Sequence, residues 1–394
     1  MPPCKLPAFE RGRQAMDKVR YGIVGVGGMG TGHAHTMRTI EECMLAAVCD
    51  IVPEVAKERG DEFGVPYCTD YHELIDRPDV DAVVVATPHY FHPEISIYAM
   101  EKGKPVISEK PIAVTVSQAD AMVEAAKRTG TPFAVMYQTR SEPVWRAAWE
   151  IVKAGRLGEL YRTMLVYADF RSQAYYDSAG WRATWKGEGG GVLINQAPHA
   201  LDRFTWLGGL PSRVTAYTAT RNHRIEVEDV AAAMLEYPNG AVGYVYCSTT
   251  EAPGTEFMEL SGEKGKLRVL GREIRFWEVP QGVKGFSDTS TEMWKAPQVV
   301  EVPVQLPEVE SGHRAILRNM ARHILYGEEL IAPGVEGIKT VELINAMILS
   351  GKTKKPVDIP VDRARYDAFL ERLKKRSKRK IVGPDKRITD DVHH

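Results

Sequence analysis

The sequence predicts an α/β protein: a doubly wound parallel sheet comes first, then an α+β region with a large, open, mostly antiparallel sheet. Three observations carry this reading. The first third of the chain alternates strand-like and helix-like segments. A glycine-rich turn directly follows the first strand. From residue 159 to about 304 strand-like segments succeed one another, separated by short turns. With 394 residues the chain is too long for one ordinary core, so two domains are expected.

The strands of the first region are expected at 21–25, 45–50, 82–86, 105–107 and 133–136, with helices at 28–39, 53–63, 71–75, 93–102 and 116–129. Ala82-Val83-Val84-Val85-Ala86 is apolar throughout, as suits a strand covered on both faces. The first strand runs into Gly25-Val26-Gly27-Gly28-Met29-Gly30, the Gly-x-Gly-x-x-Gly fingerprint of a dinucleotide-binding Rossmann unit. Gly25 permits the tight turn, Gly27 lets the backbone approach a pyrophosphate, and Gly30 lets helix pack closely on strand. The free N–H groups of Gly28, Met29 and their neighbours at the helix start then suit phosphates. The second strand ends in Asp50, at the spacing of the acid that binds the adenosine ribose. Ile51 follows it, with no Arg or Ser to welcome a 2′-phosphate, so the cofactor is expected to be NAD.

In the second region a helix is expected over 142–154. Strands follow at 161–167, 214–220, 230–236, 242–248, 256–261 and 266–269, then helices at 315–326 and 335–350. Pro238-Asn239-Gly240 and Gly262-Glu263-Lys264-Gly265 mark hairpin turns. The domain map is an arm over 1–18, a dinucleotide-binding domain over 19–140, an α+β domain over 141–361, to which the resemblance given below assigns substrate binding and oligomerisation, and a C-terminal helix with a basic tail over 362–394.

Bulk properties exclude some partners. The formal net charge is −1, which gives no electrostatic footprint for nucleic acid or membrane. No apolar run approaches a membrane span, and the first eighteen residues lack the apolar core of a signal peptide. The five cysteines are scattered, with no CxxC pair. A reduced, cytoplasmic protein without a metal site is therefore expected.

Two constellations carry chemistry. Ser108-Glu109-Lys110-Pro111 follows a buried-type strand, at the end of the sheet that faces the ligand crevice. Farther on comes Gly189-Gly190-Gly191-Val192-Leu193-Ile194-Asn195-Gln196-Ala197-Pro198-His199-Ala200-Leu201-Asp202. Asn195 and His199 are four apart, hence on one face if this stretch is helical.

Together with Thr87-Pro88-His89-Tyr90-Phe91-His92, these motifs resemble the glucose–fructose oxidoreductase / inositol dehydrogenase (Gfo/Idh/MocA) family, over residues 19–361. The resemblance implies a Rossmann domain and a second domain whose open sheet makes subunit contacts, hence a homodimer or homotetramer. It also implies a cis Lys110–Pro111 bond. It places Thr87, Pro88 and His92 on the loop bordering the cofactor, and Glu109 and Lys110 near the nicotinamide. Gln138, Trp181 and Arg182 match cofactor-contacting positions, and His199 matches the catalytic histidine. Many relatives carry Asp where this chain has Asn195, which cannot take a proton. Some sugar 3-dehydrogenases look similar there.

The expected reaction is hydride transfer to NAD from a secondary hydroxyl of a sugar, glycoside or cyclitol, the C3 hydroxyl of a glucoside among them. Lys110 and His199 form the acid/base pair. A free lysine, near pKa ~10.4, must be brought down by its surroundings to serve. Asn195, Arg171, Tyr167, Arg182 and Trp185 are the candidate substrate contacts. Two alternatives share the fold: a redox-neutral enzyme that cleaves glycosides by transient oxidation and elimination, and a non-catalytic NAD- and sugar-binding regulator.

Overall fold

The computed structural model describes residues 17–378, so the expected arm and most of the basic tail lie outside the described residues. Contacts divide the chain into two units. Of the described residues, the first holds 17–141 together with 310–338, and the second holds 142–309 with 339–378.

The first unit is built on β1 (Val19–Val24), α1 (Gly28–Met37), β2 (Cys43–Cys49), α2 (Pro53–Phe63), β3 (Tyr67–Cys68), α3 (Tyr71–Asp76), β4 (Ala82–Val85), α4 (His92–Glu101), β5 (Val106–Ser108), α5 (Val116–Thr129) and β6 (Phe133–Val135). The sheet order is β3-β2-β1-β4-β5-β6, every pair parallel, as predicted for a doubly wound sheet. Val83, Val84, Ile23 and Val106 are fully buried between the helical layers. The order reverses between β1 and β4, so the turns after these two strands flank the switch-point crevice.

Local chemistry sets the helix ends. Thr115 and Gln118 make a reciprocal capping box at the start of α5, and Gly130, at φ 66°, closes it. Pro53 occupies the first turn of α2, where its missing N–H has no partner to lose. Residues 310–338 also belong to this unit: the Tyr21 hydroxyl donates to the Leu317 carbonyl at 3.2 Å, and Val135 N–H donates to the Ala332 carbonyl at 3.0 Å. Leu317 lies on the helix Gly312–Tyr326.

The second unit opens with α6 (Pro143–Lys153), β7 (Leu160–Phe170), α7 (Gln173–Tyr176) and α8 (Pro198–Gly208). Then come β8 (Arg213–Ala219), β9 (Val230–Glu236), β10 (Val242–Ser248), β11 (Thr250–Gly262), β12 (Gly265–Leu270), β13 (Glu273–Glu278), α9 (Val283–Thr289) and β14 (Val300–Val302). The helix Gly312–Tyr326 is α10. It is followed by α11 (Gly334–Thr353), β15 (Val357–Asp358) and α12 (Arg363–Arg376). The nine strands lie in the order β14-β13-β12-β11-β7-β10-β9-β8-β15, and only β7 and β10 run parallel. The predicted mostly antiparallel open sheet is therefore present. The periodicity did not show β13, β14 and β15 here or β3 in the first sheet; β3, β14 and β15 are only two or three residues long and carry too little alternation to read.

One face of this sheet is core. Leu165, Val245, Ala231, Leu260 and Phe276 alternate inward and are at most 1% exposed. The opposite face is open and carries Met234 and Tyr217, both more than half exposed. Among the described residues, no helix is long and apolar enough to cross a membrane.

Candidate active site

In the first unit the glycine turn has the geometry its motif requires. Gly25 sits at φ 87°, and a Cβ on it would meet the Ala86 carbonyl at 2.7 Å. A Cβ on Gly30 would lie 1.9 Å from the Gly25 carbonyl, so only glycine lets α1 start this close to β1. A Cβ on Gly27 or Gly28 meets nothing within 4 Å. The space beside the first turn of α1 is open, as a pyrophosphate needs. Met29 is about half exposed on the same turn.

Asp50 follows β2 and is held from two sides. Its Oδ2 accepts from Val26 N–H at 3.0 Å and its Oδ1 from Val52 N–H at 3.1 Å. This ties the carboxylate to the glycine turn itself. Ile51 beside it is 86% exposed and offers no cation.

After β4, Thr87 and Pro88 form the second wall of the crevice. The His92 ring bridges two loops, with Nε2 2.7 Å from the Thr87 carbonyl and Nδ1 2.9 Å from the Pro111 carbonyl. Burial pushes this imidazole down toward its neutral form, although both carbonyls favour the charged one. His92 thus braces the 87–88 loop against the Glu109-Lys110-Pro111 loop, and both ring nitrogens are engaged within the protein. The Thr87 hydroxyl and Gln138 Oε1 are buried without a hydrogen-bond partner among the described residues. Such orphaned groups suit a polar ligand. With the open glycine turn and the pinned Asp50, they fit a dinucleotide.

Glu109 and Lys110 follow β5, and the Lys110–Pro111 peptide is cis. Glu109 is buried. Its Oε1 lies 2.7 Å from Nε2 of His33, and its Oε2 accepts Lys110 N–H at 3.1 Å. His33 comes from α1 and packs edge-on against His313 of α10, with ring centroids 5.2 Å apart. Burial alone would raise the Glu109 pKa. The hydrogen bond from His33 and the charges of His33, Lys110 and His313 outweigh it and hold the carboxyl at about 2. His33 and His313 escaped the sequence reading. The only trace of His33 was its place three residues after Gly30, on the buried side of α1.

In the second unit the remaining candidates cluster on loops around β7 and α8. The expectation that Asn195 and His199 share a helix face is not met. Pro198 starts α8, and residues 192–196 form turns whose Ile194 and Asn195 N–H groups both donate to the Gly191 carbonyl. His199 occupies the second position of α8 and is half-buried. The triple glycine lets the backbone come very close to a neighbouring segment. A Cβ on Gly191 would lie 1.8 Å from the Glu228 carbonyl, and the buried Glu228 carboxyl accepts N–H groups from Gly191 and Leu193. Here the close approach is chain to chain.

Arg182 stacks over Tyr175, 4.3 Å from the ring centroid, and donates to the Tyr175 hydroxyl at 2.5 Å. It also lies 4.8 Å over the Trp181 ring. Arg171 donates to Asp169 and to the Phe170 carbonyl, while its guanidinium sits 5.5 Å from the Tyr175 ring. Tyr167 is half-buried near the end of β7, its phenol pushed up by burial. Trp185 departs from its expected role. It is 5% exposed and its indole N–H donates to the Glu226 carbonyl, so it is a packed core residue. Glu188, which the sequence reading passed over, is fully buried and receives the Asn195 amide nitrogen.

The depressed Glu109 pKa has a pH signature. Its folded value lies below the ordinary glutamate value, so its contribution to stability is complete above about pH 4.5. That contribution is lost as pH falls toward about 2. Urea melts at stepped acidic pH are expected to show a shallower acid loss in Glu109→Gln than in the wild type. Parallel curves would contradict the paired carboxylate.

Residues 19–137 match the family model described as an oxidoreductase family with an NAD-binding Rossmann fold, and residues 145–268 match that of the GFO/IDH/MocA C-terminal domain. Among curated relatives, a D-apiose dehydrogenase of Paraburkholderia graminis is 26% identical over 86% of this chain and 88% of its own. A levoglucosan dehydrogenase of Pseudarthrobacter phenanthrenivorans is 27% identical over 64% of this chain and 73% of its own. Among solved structures, the WlbA dehydrogenase of Chromobacterium violaceum, in complex with NADH and UDP-GlcNAcA, superimposes with a TM-score of 0.76 at 30% identity, covering 89% of this chain and 98% of that one. Two matched domains, the parallel sheet with its glycine turn, and the mostly antiparallel sheet beyond it establish that this chain belongs to the Gfo/Idh/MocA family of NAD-binding oxidoreductases.

Proposed function

We propose that the protein oxidises a secondary hydroxyl of a sugar, glycoside or cyclitol, with Lys110 and His199 handling the proton and NAD taking the hydride. The observation that carries this reading is the Glu109–Lys110 pair at the carboxyl end of β5. It stands in a sheet whose switch point lies between β1 and β4, with Glu109 buried and clamped by His33. A lysine whose backbone is held by a buried carboxylate is in a defined place, as proton transfer requires. The relatives support the substrate class: they are named for levoglucosan, apiose and inositols, all polyhydroxylated rings or sugars.

The roles follow from the residues. The first turn of α1 would hold the pyrophosphate, and Asp50 would accept from both ribose hydroxyls. A 2′-phosphate would meet the Asp50 carboxylate with no cation at Ile51 to offset it, so NAD is favoured over NADP. Thr87, Gln138, Trp181 and Arg182 are the further cofactor contacts we assign. When bound, the nicotinamide accepts the hydride from the carbinol carbon. The hydroxyl proton needs a base within about 2.6–3.2 Å, and Lys110 and His199 are the two side chains with that chemistry. Tyr167, Arg171, Arg182 and Asn195 would orient the ring hydroxyls. Asn195 in place of a carboxylate, as in some sugar 3-dehydrogenases of the family, favours the C3 hydroxyl of a glucoside.

The deciding experiment incubates the protein and NAD with inositols, free hexoses and glycosides, and records both NADH and released aglycone. NADH formed in step with substrate loss supports the dehydrogenase. Aglycone without net NADH replaces it with oxidation, elimination and return of hydride. Neither product from any member would overturn the reading. With an active member, Lys110→Ala and His199→Ala are each expected to lose on the order of 10²–10⁴ in kcat. Turnover that survives the loss of both would remove the pair from the mechanism.

The cofactor cradle is tested separately by calorimetric titration with NAD. Gly27→Ala has room for its methyl in the free protein, so it should keep the wild-type melting temperature yet bind NAD more weakly. Gly30→Ala pushes a methyl against backbone and should melt earlier. Equal NAD affinity in Gly27→Ala and wild type would move the pyrophosphate elsewhere.

A further inference from the structure

Glu188 is a carboxylate buried to 1% exposure in the turn-rich segment before the triple glycine. Its Oε2 accepts Ala183 N–H at 2.6 Å. Its Oε1 accepts the Nδ2 of Asn195 and lies 3.9 Å from Nη1 of Arg182. Ala183 is in the left-handed region at φ 57°, which few non-glycine residues adopt, so Oε2 meets a backbone donor in an unusual conformation. Arg182 passes the contact onward to the Tyr175 hydroxyl, which also receives Gln196 Nε2 at 3.0 Å. One buried charge therefore touches two of the groups assigned to substrate, Asn195 and Arg182.

An amide can present either edge, and its neighbours decide which. A carboxylate only accepts. Asn195 must turn its nitrogen toward Glu188, which turns its carbonyl oxygen to the other side. We propose that Glu188 is a positioning residue of the substrate-binding half: it fixes Asn195 so that Oδ1 is offered to a substrate hydroxyl, and it anchors Arg182. This rests on the reading that Asn195 contacts the substrate. Residue 195 still shows an oxygen acceptor, while the charge sits on its buried partner Glu188.

The arrangement can be inverted by exchange. In Glu188→Gln the Ala183 N–H cannot turn, so it claims the Gln oxygen and leaves an NH₂ facing the Asn195 NH₂. Asn195 then flips, and a donor replaces the acceptor. In Asn195→Asp two carboxylates face each other, and one holds its proton to higher pH. In the double variant Glu188→Gln/Asn195→Asp the Gln NH₂ donates to Asp, and an acceptor is again presented.

Two readouts test this. The first is the melting temperature of the ligand-free protein between about pH 5 and 8. Arg182, Tyr175 and Tyr176 also face Glu188 among the described residues. The guanidinium stays charged over this range, and burial pushes both phenols upward. In Asn195→Asp the raised carboxyl pKa gives stability that is present at low pH and lost as pH rises. The expected melting curve therefore falls toward pH 8, and the fall disappears in the double variant. A fall that persists in the double variant, or never appears in Asn195→Asp, overturns the pairing whatever the substrate is.

The second readout uses whichever of levoglucosan, myo-inositol or a glucoside yields NADH. Glu188→Gln is expected to raise KM on the order of 10–100-fold, and the double variant to recover most of that loss. An unchanged KM in Glu188→Gln, or a double variant no better than the product of the singles, removes Glu188 from substrate positioning. Failure of every sugar to react, with the melting behaviour as expected, overturns the proposed function and with it the substrate role of Asn195, while the Glu188–Asn195 pairing stands.

Discussion

A carboxylate taken out of water must be surrounded by donors, and this constraint shapes both halves of the molecule. Glu109, Glu188 and Glu228 are all buried, and each draws a loop toward itself. Glu109 gathers His33 from α1 and the N–H of Lys110. Glu228 gathers Gly191 and Leu193 N–H groups. Glu188 gathers Ala183 and Asn195. None of these loops has regular secondary structure to hold it, so the buried acid does the organising.

The carboxyls shift in opposite directions, and the difference follows from their donors. Glu109 has an imidazole and the charges of Lys110 and His313 around it, enough to outweigh desolvation and keep it ionised. Glu228 has backbone N–H groups and a more distant Lys352, and burial wins, so its carboxyl is raised. Backbone dipoles hold geometry without adding net charge. That suits Glu228, whose task is to seat the triple glycine. The ionised Glu109 stands beside Lys110, whose charge is among those that keep the carboxyl low.

The fold was readable because its signals are local. The glycine turn, the run Ala82-Val83-Val84-Val85-Ala86 and the Pro238-Asn239-Gly240 turn each state a backbone requirement within a few residues. Asp50 was readable for the same reason: it ends a strand at a set distance from the turn it serves. Asn195 and His199 looked like one helix face because Pro198 was not weighed as the start of a helix, which places Asn195 outside it. Trp185 looked like a sugar platform because sequence cannot show where an indole N–H goes. Glu188 left no trace at all. A single acid before glycines has no period, and its partners at 183 and 195 are brought to it only by the turns of the folded segment.

The same contrast explains why the cofactor can be named from this chain more sharply than the sugar. The dinucleotide is held largely by backbone: N–H groups at a helix start, a glycine without a side chain, a strand end at the switch point. Those features depend on the fold and leave compact motifs. In the function proposed above the sugar would be met by side chains on loops of the second unit, where Arg182, Tyr175, Gln196, Asn195 and Glu188 form one connected network. In such a network the identity of each group matters less than which edge it turns outward, and that edge is set by a neighbour. Exchanging an acid and an amide between positions 188 and 195 keeps the pairing and the acceptor that faces out. A motif that records only position 195 leaves out Glu188, the partner that decides which edge of the Asn195 amide turns outward.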